Sequence, residues 1–434
     1  MKVAIVGYGD IEGHAALEYW KDRGAQVTVC DMDEKKHVPA GVHKQLGKEY
    51  LQDLDKFDVI LRSPGLHPKI ILAVNPHVAG KITTTVNEFL RVCPTKNIIG
   101  VTGTKGKGTT SALIVSMLEA AGKKVFLGGN FGISPFGFLD KLTPESWVVL
   151  ELSSFMLHDV KHSPHIGICL MVQPEHLDWH GSDVEYIKAK SNMFSHQGQK
   201  DVAIYYAGNI VSHRIASTSA GDKIAYFDEP GAYVYDGAIM IDQTVLCKTS
   251  ELKLLGEHNW QNACAAVTAV WQVVQAPGAI REALITFTGL PHRLELVREL
   301  NGVRFYNDSF ASDPYATEAA IQAVSGRKVM IVGGYDRGLP LEGFASIVDE
   351  NKRSIRGILL IGQSAGRVAE ALQHVGYKNF QITTEHTMPH IAREAFAMAK
   401  HGDAVVLSPG FASFDMFKNF EARGRAFKEA VHSL

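Results

Sequence analysis

Short apolar runs alternate with amphipathic stretches along this chain, and many of the runs end in turn-forming residues. At the start of the chain the pattern predicts strands over Lys2–Val6, Gln26–Cys30 and Phe57–Leu61, a turn over Gly7–Gly13 and a helix over Ala15–Arg23. A continuous apolar run bounded by turn residues is typical of a buried strand, and strands that alternate with helices indicate a parallel sheet. The first segment is therefore predicted to be an α/β domain.

Two further segments restart the same rhythm. A buried strand over Asn97–Thr102 leads into a glycine-rich turn, and the helix after it extends to Ala121. The other predicted elements are strands over Trp147–Leu152 and Ile166–Val172, a hairpin over Ala232–Ile241 with the turn Asp236-Gly237, a helix over about 259–273, and strands over Val329–Val332, Gly357–Ile361 and Ala404–Leu407.

The length of the chain requires more than one domain. Its 434 residues are too many for a single core, because domains typically hold about 100–200 residues. The stretch Gly289–Arg293 is typical of a hinge. We predict three α/β domains over residues 1–92, 93–296 and 297–434, of which the first and the third are Rossmann-like.

Composition narrows the range of partners. Apolar residues make up 46% of the chain and charged residues 21%, as in an ordinary globular protein. The net charge of −2 gives no basic surface for nucleic acid, and no apolar run approaches the roughly 18 residues of a membrane span. The N-terminal residues enter a strand directly, which does not indicate a secretory signal. Five scattered cysteines with no CxxC pair indicate reduced thiols and therefore a cytoplasmic protein. We also expect a monomer with no nucleic-acid or membrane partner.

The loop Gly103–Thr109 is the strongest chemical signal in the chain. It follows a predicted strand and precedes a predicted helix, so its backbone N–H groups and the positive helix end can hold phosphate, with Lys107 reaching the outer oxygens. A glycine-rich turn can also be purely structural, but the flanking elements favour a P-loop ATPase-like central domain. The residue after such a lysine is normally Ser or Thr, which binds Mg²⁺. Here it is Gly108, so Thr109 or a water would take that place.

Acidic and imidazole groups follow two later strands of the same domain. Glu151 ends one apolar strand, and His176 and Asp178 come just after the next. Carboxylate oxygens at the carboxyl ends of parallel strands are suited to Mg²⁺. Each of these residues taken alone also fits a helix cap or a surface polar group, so both interpretations stay open on local sequence.

Together with the loop, these segments resemble the Mur ligase family, whose members build the peptide of bacterial cell-wall precursors. The resemblance covers essentially the whole chain, in the order Gly103–Thr109, Glu151–Phe155, His176–Asp178, Lys190, Gly256–Asn259, Pro291–Glu295, Asn307–Ser309 and Ser408–Gly424. The last string resembles the region of the family that binds D-glutamate.

The resemblance implies an ATP site and a metal site. The ATP site would comprise Gly103, Thr104, Lys105, Gly106, Lys107, Gly108, Thr109, Asn259, Asn262, Arg293 and Asp308. Two Mg²⁺ would be bound by Thr109, Glu151, His176 and Lys190, the last as a carbamate, because carbamylation converts an ammonium into an anion. The catalytic residues would be Lys107, Lys190, His176 and His292. On local sequence alone, Lys190 is an ordinary solvated helix lysine.

The resemblance also implies two substrate pockets. A UDP-sugar would contact Gly9, Asp31, Ser63, Pro64, Gly65 and Asn130, and an amino acid would contact Arg337, Ser413, Phe414 and Phe420. A guanidinium such as that of Arg337 binds a carboxylate with two hydrogen bonds. The pattern Gly7-x-Gly9-x-x-x-Gly13 with Asp31 also resembles a dinucleotide fingerprint, but its last gap is one residue too long, which makes NAD the less favoured ligand.

The implied reaction is ATP-dependent amide formation. A carboxylate of UDP-N-acetylmuramoyl-L-alanine would take the γ-phosphate, and D-glutamate would attack the acyl phosphate. The sequence departs from the family at Gly108, at Phe310, where relatives have Lys, and at Gln173–Glu175. These departures leave open another Mur-type or folyl-polyglutamate-type ligase and an inactive nucleotide-binding regulator.

Overall fold

A computed structural model of the chain describes residues 1–9, 11–131, 133–254, 256–312, 314–336, 338 and 340–434, apart from the side chains of residues 315 and 319. The described residues form two compact units. The first comprises Met1–Leu252 with Glu257–Phe287, and the second comprises Lys253–Gly256 with Thr288–Leu434. The first unit contains two separate parallel sheets. The three predicted domain boundaries remain a prediction.

The N-terminal sheet has five parallel strands in the order β3-β2-β1-β4-β5. Its elements are β1 (Lys2–Val6), α1 (Glu12–Asp22), β2 (Gln26–Asp31), β3 (His43–Leu46), β4 (Val59–Arg62), α2 (Pro68–Val74), β5 (Ile82–Thr83) and α3 (Thr85–Val92). The chain leaves β1 on one side and returns as β4 on the other. A crevice therefore opens at the carboxyl ends of β1 and β4, where such sheets bind ligands.

The second sheet of this unit has six parallel strands in the order β11-β10-β9-β6-β8-β7, and a three-stranded antiparallel sheet β12-β13-β14 follows it in the chain. The elements are β6 (Ile98–Thr102), α4 (Lys107–Ala120), β7 (Val125–Gly129), β8 (Trp147–Glu151), α5 (Ser154–Leu157), β9 (Ile166–Cys169), α6 (Leu177–His180), α7 (Asp183–Ser191), β10 (Val202–Tyr206), α8 (Ile210–Ala216), β11 (Asp222–Tyr226), β12 (Tyr233–Tyr235), β13 (Ala238–Ile241), β14 (Thr244–Lys248), α9 (Glu257–Trp271) and α10 (Pro277–Thr286).

The position of β6 within this sheet determines where the glycine-rich loop that follows it lies. All five residues of β6 are buried, and it pairs with β8 on one side and β9 on the other. The predicted strand over Ile166–Val172 was too long at its end, because β9 stops at Cys169. Beyond that point the backbone lies along the glycine-rich loop instead, and Met171 O accepts a hydrogen bond from Thr104 N at 2.9 Å.

The second unit has one six-stranded sheet in the order β15-β16-β20-β17-β18-β19. Among the described residues of this sheet, the β15–β16 edge pair is antiparallel and the other strand pairs are parallel. The elements are β15 (Glu295–Leu300), β16 (Val303–Asn307), α11 (Pro314–Ala323), β17 (Lys328–Gly333), α12 (Glu342–Glu350), β18 (Ile355–Ile361), α13 (Ala365–His374), β19 (Phe380–Ile382), α14 (Met388–Met398), β20 (Ala404–Leu407) and α15 (Phe420–His432). The α/β prediction is confirmed. In the part of the chain that the structure describes, no helix combines the length and apolar character of a membrane span.

Candidate active site

The glycine-rich loop between β6 and α4 has the tight backbone conformation that the sequence predicts for phosphate binding. Gly103 (φ 148°) and Gly106 (φ 86°) have backbone conformations that L side chains rarely adopt. A Cβ at Gly103 would lie 2.7 Å from Leu170 Cβ, and a Cβ at Gly106 would lie 2.3 Å from Asn262 Oδ1. Helix α4 begins directly afterwards at Lys107, so its first backbone N–H groups face the loop.

Two lysine side chains converge on this loop. Lys107 Nζ donates to the carbonyl oxygens of Gly103 at 3.1 Å and Thr104 at 2.9 Å. Lys190 Nζ, which comes from α7, donates to the same Gly103 oxygen at 2.9 Å and to Thr102 Oγ1 at 3.4 Å. Two amines therefore share one carbonyl at the end of β6, where the sequence predicts phosphate.

Lys190 is buried, although its local sequence is that of an exposed helix lysine. The residue is 1% exposed, and its Nζ lies 4.7 Å from the centre of the Tyr186 ring. Burial, together with the neighbouring Lys107 ammonium, lowers the pKa of Lys190 to about 7. Much of this amine is therefore neutral near pH 7, and the neutral form is the nucleophilic one.

Glu151 ends β8 beside the loop with a buried carboxylate. Its Oε1 accepts a hydrogen bond from Asn130 Nδ2 at 2.9 Å, and its backbone oxygen accepts one from Asn130 N at 2.8 Å. Carboxylate oxygens such as those of Glu151 are the ligands that a hard cation prefers. Asn130, a predicted UDP-sugar residue, thus lies against a predicted metal ligand. Thr109 is half-buried in the first turn of α4.

His176 lies at the start of α6 in a left-handed backbone conformation (φ 57°). Its ring packs 4.9 Å from the ring of Phe155, which follows Glu151 in the chain. His176 Nε2 lies 3.7 Å from a Glu175 carboxylate oxygen. Phe155 therefore positions the imidazole next to the segment that carries Glu151.

A second group of ligand-type side chains carries no metal assignment. His67, His158 and Glu185 place one ligand atom each within 4.8 Å of the others. His67 Nδ1 accepts a hydrogen bond from Lys69 N at 3.1 Å, so a neutral His67 ring has its proton on Nε2. That Nε2 faces His158 Nε2 at 3.4 Å as a donor. The two rings therefore satisfy each other, and a protonated Nε2 cannot bind an ion.

The predicted adenine residues lie on α9, which packs against α4. Asn262 lies beside Gly106 of the glycine-rich loop. Its Oδ1 accepts a hydrogen bond at 3.4 Å from Oγ1 of Thr110, in the first turn of α4. Its Nδ2 donates to Asn259 Oδ1 at 3.1 Å. The structure thus brings Asn262, which lies 152 positions after Thr110 in the chain, to the loop, and Asn259 is hydrogen-bonded to Asn262.

The N-terminal crevice contains a cavity of about 300 Å³ at the ends of β1 and β4. Its lining includes two predicted substrate residues, Gly9 and Ser63, together with Glu12 and Arg62, which the sequence interpretation did not assign. Asp31 contacts the turn that contains Gly7 and Gly9. Its Oδ2 accepts a hydrogen bond from the Tyr8 backbone N–H at 2.7 Å. Pro64 and Gly65 continue the loop that begins at Ser63.

In the second unit, the hinge-like segment is bound to the end of β16. Asp308 accepts hydrogen bonds from Leu294 N at 3.1 Å and from Ser408 Oγ at 2.7 Å. Burial raises the pKa of Asp308 to about 7. His292 Nδ1 lies 2.8 Å from Asn307 Nδ2, which fixes the imidazole beside Asp308.

Phe310, where the sequence departs from the family, packs against a predicted nucleotide residue. The Arg293 guanidinium carbon lies 3.8 Å from the centre of the Phe310 ring, a cation–π arrangement. The Phe310 ring also contacts the Phe420 ring edge-to-face, with 5.1 Å between the ring centres. The aromatic residue therefore joins the predicted Arg293 and Phe420 in one cluster.

The predicted amino-acid pocket is described only in part. Arg337 lies outside the described residues. Ser413 is buried, and the exposed Phe414 ring lies 6.3 Å from the Tyr335 ring, on the segment that precedes Arg337. Tyr335 also forms a β-bridge with Ala412. The two segments predicted to bind the amino acid therefore run side by side.

In each unit, a side chain that was not predicted from the sequence holds part of the predicted site in place. Tyr186 donates or accepts a hydrogen bond with Thr104 Oγ1 at 2.9 Å, and buried Arg423 donates to Ser309 Oγ at 3.0 Å and Phe411 O at 3.0 Å. Tyr186 could have been found, because it lies four residues before Lys190 on one face of a predicted helix. The position of Arg423 inside the protein leaves no such periodic signal.

We expect Gly106→Ala to weaken nucleotide binding by tenfold or more, because the new Cβ combines a strained φ with a clash against Asn262. Gly122→Ala is the matched control. Gly122 also has a positive φ (75°), but a Cβ there would have open space around it. ADP titration of both folded variants measures the difference, and equal affinities would show that the loop does not hold the nucleotide.

A parallel sheet whose central strand feeds a glycine-rich lysine loop, beside a buried carboxylate, defines a nucleotide-dependent α/β enzyme. Two family models match the chain: the Mur ligase middle domain over residues 101–270 and the Mur ligase, glutamate ligase domain over residues 292–411. The chain therefore belongs to the Mur ligase family, and it is an ATP-dependent amide-bond-forming ligase.

Individual relatives cover the full length of the chain. A UDP-N-acetylmuramoylalanine–D-glutamate ligase from Acetivibrio thermocellus is 35% identical over 100% of this chain and 96% of its own length. The corresponding Clostridium kluyveri ligase is 36% identical, over 100% of this chain and 97% of its own length.

Solved structures show the same fold at lower identity. A UDP-N-acetylmuramate-alanine ligase from Thermotoga maritima has a TM-score of 0.62 at 18% identity, covering 100% of this chain and 99% of its own. A MurF ligase from Thermotoga maritima in complex with ADP has a TM-score of 0.58 at 16% identity, covering 99% of this chain and 95% of its own.

Proposed function

We propose that this chain joins D-glutamate to UDP-N-acetylmuramoyl-L-alanine at the expense of ATP, as a cytoplasmic monomer in cell-wall precursor synthesis. The full-length similarity to ligases named for this reaction supports the proposal. The single structural observation that carries it is the convergence of Lys107 and Lys190 on the Gly103 carbonyl, beside Glu151.

ATP binding is assigned to the loop Gly103–Thr109 with Asn259 and Asn262. The backbone N–H groups of α4 and the Lys107 ammonium hold the phosphates and neutralise the charge of the transferred group. Arg293, Asp308 and His292 remain predicted nucleotide and catalytic residues.

The donor set offers Mg²⁺ more anionic oxygens when Lys190 is carbamylated. Glu151 offers a buried carboxylate, with Thr109 and His176 as predicted further ligands. An unmodified Lys190 is a cation in part of the population and would repel Mg²⁺, whereas its carbamate supplies anionic oxygens. Carbamylation forms a bond between the neutral amine and CO₂ and releases one proton. Bound Mg²⁺ would lower the charge repulsion between the phosphates and the attacking carboxylate.

The reaction follows from these positions. The carboxylate of the L-alanyl residue attacks the γ-phosphorus of ATP, and ADP leaves with the electrons of the broken bond. The amine of D-glutamate, as the free base, then attacks the acyl phosphate and expels inorganic phosphate. Most of the rate enhancement comes from alignment and charge neutralisation by the loop and Lys107. Ser413, Phe414, Phe420 and Arg337 are the predicted amino-acid contacts.

Phosphate release tests the proposal most directly. The purified chain is incubated with Mg·ATP, UDP-N-acetylmuramoyl-L-alanine and one amino acid at a time, and the product is identified by mass. We expect turnover with D-glutamate and at least tenfold less with L-glutamate, because a pocket with fixed donors rejects the misplaced enantiomer. Preference for another acceptor would identify a different Mur-type or folyl-polyglutamate-type ligase. Absence of turnover with every acceptor would favour an inactive nucleotide-binding regulator.

The UDP-sugar is assigned to the N-terminal cavity, which gives a pH-dependent prediction. Burial raises the pKa of Glu12, in the cavity wall, to about 7. The carboxyl is therefore neutral below pH 7 and anionic above it, where it repels a diphosphate. We expect the affinity for UDP to fall by about tenfold between pH 6 and pH 8.5.

Glu12→Gln is the matched control, because it keeps the shape of the side chain and removes the charge. UDP itself gains negative charge with a phosphate pKa near 6, and this contribution is the same for both proteins. The difference between wild type and Glu12→Gln thus isolates the side chain. Parallel pH profiles for the two proteins would contradict the prediction.

A further inference from the structure

Arg62 is a buried arginine to which the sequence interpretation assigned no role. It ends β4 and directly precedes the loop Ser63–Gly65, and its side chain is 0% exposed. An arginine cannot lose its charge in a protein, so its burial requires compensation from every direction. The partners that supply this compensation belong to two parts of the proposed site.

The first set of partners is the loop itself. Arg62 Nη1 donates to the carbonyl oxygens of Ser63 at 3.2 Å, Pro64 at 3.1 Å and Leu66 at 3.2 Å. The remaining carbonyl of this run, Gly65 O, accepts a hydrogen bond from the Trp179 indole at 2.8 Å. Four consecutive carbonyls therefore accept hydrogen bonds from the side chain of Arg62 or Trp179.

This arrangement determines what the loop offers to a ligand. The carbonyl oxygen and the next N–H of a trans peptide point in opposite directions. Holding the Pro64 carbonyl against Arg62 consequently sets the direction of the Gly65 N–H, and holding the Leu66 carbonyl sets that of His67. The Ser63, Pro64 and Leu66 oxygens, which would repel a phosphate, are turned toward the buried Arg62 side chain.

The second set of partners follows Glu151 in the chain. Arg62 Nε and Nη2 form two bonds with Asp159, at 2.8 and 2.7 Å, and Nη2 also donates to Phe155 O at 3.0 Å. One planar guanidinium thus joins the loop after β4 to the segment after β8. A lysine ammonium cannot reproduce this fork.

Arg62 also lines the cavity of about 300 Å³ together with Gly9 and Ser63. We propose that Arg62, assisted by Trp179, is a positioning residue that orients residues 63–66 to receive the diphosphate of the sugar nucleotide and holds them in register with the Glu151 segment. The inference rests on the proposed function for the identity of the ligand.

The test compares UDP and ADP binding by titration calorimetry in the full-length chain. Arg62→Lys keeps the charge and loses the fork, and Arg62→Met keeps the approximate volume and loses the charge. We expect UDP affinity to fall about tenfold in Arg62→Lys and further in Arg62→Met, with ADP affinity within about twofold of wild type. In turnover, KM for the UDP-sugar should rise about tenfold while KM for ATP stays constant.

Two further variants separate positioning from general stability. Trp179→Phe keeps an aromatic ring and removes the one hydrogen bond to Gly65 O, and we expect UDP affinity to fall about threefold. Arg23→Met removes an exposed ion pair with Asp140, which likewise connects segments of the two sheets, and should leave UDP affinity unchanged. If Arg62→Met does not fold, Arg62→Lys and Trp179→Phe decide the question.

Unchanged UDP affinity in folded Arg62→Lys would overturn the inference, as would an equal loss of ADP affinity, which would indicate a general structural role. Wild-type protein that does not bind UDP would overturn both the cavity assignment and this inference. UDP binding that depends on Arg62, without D-glutamate-dependent phosphate release, would leave the inference standing and overturn the proposed function.

Discussion

Lys107→Ala should reduce kcat/KM for ATP by about a thousandfold or more. Lys107 opens α4 with its Nζ over the loop carbonyls of Gly103 and Thr104, where an incoming triphosphate would replace these neutral acceptors with charged ones. Removing a donor aimed at charge that develops in the transition state typically costs about 10²–10³ in rate. The variant also removes a positive charge that binds the phosphates before the reaction, which lowers kcat/KM further.

Lys96→Ala provides the control for this experiment. Lys96 is exposed and precedes the amino end of β6, whereas Lys107 follows the carboxyl end of the same strand. Each variant therefore removes one positive charge, and the two positions lie beyond opposite ends of the same strand, β6. Phosphate release measures both, with circular dichroism to confirm folding. Retention of more than about a tenth of wild-type activity in Lys107→Ala would remove the lysine from the mechanism.

Lys190→Ala should be nearly inactive and should regain activity when a short carboxylate such as acetate is added. If the carbamate of Lys190 supplies anionic oxygens to Mg²⁺, alanine leaves a space beside Thr102 and Gly103 that a small carboxylate can enter. Lys188→Ala, two residues earlier on the exposed face of α7, should keep wild-type activity with or without acetate.

The pKa of Lys190 adds a pH dependence to this prediction. Below the value of about 7 the ammonium form predominates and cannot attack CO₂, and above it the neutral amine predominates. Depleting dissolved CO₂ should therefore lower wild-type activity, and recovery after CO₂ is restored should be faster at pH 8 than at pH 6. Mass spectrometry under mild conditions can detect the carbamate. A Lys190→Ala variant with unchanged activity would contradict the carbamate proposal.

The burial of Lys190 also bears on how the unmodified protein is stabilised. A lysine whose folded-state pKa is lowered binds its proton less tightly than in the unfolded chain. Protonation therefore favours the unfolded state as the pH falls through the window from the unfolded value of 10.5 to about 7. We infer that carbamylation relieves this cost by removing the ammonium from a site that already holds Lys107.

Local sequence was sufficient for the elements that carry the phosphate loop. The run before Gly103 is mostly apolar because β6 is buried on both faces, and Gly103 and Gly106 have positive φ values that other residues avoid. The same reasoning predicted Glu151 at a strand end, and the strand order placed β8 next to β6. The predicted end of β9 was wrong, because the apolar residues after Cys169 pack beside the loop without continuing the strand.

The burial and the long-range contacts of Arg62 and Lys190 could not be predicted in the same way. Arg62 and Asp159 are 97 positions apart, and Lys190 meets the Gly103 carbonyl across 87 positions. Neither arginine nor lysine has a periodic pattern that distinguishes a buried side chain from a solvated one, and the more frequent state of both is exposure. Family resemblance singled out Lys190, but nothing in the pattern singled out Arg62.

The sequence by itself therefore determined the α/β class, the glycine-rich turn and the kinds of side chains available for catalysis, because strand periodicity and turn chemistry are encoded by neighbouring residues. Tertiary structure decided which of those groups are buried, which share a carbonyl and which carry a shifted pKa. Those properties depend on desolvation and on charges brought together from distant parts of the chain, as with Lys107 and Lys190 at Gly103.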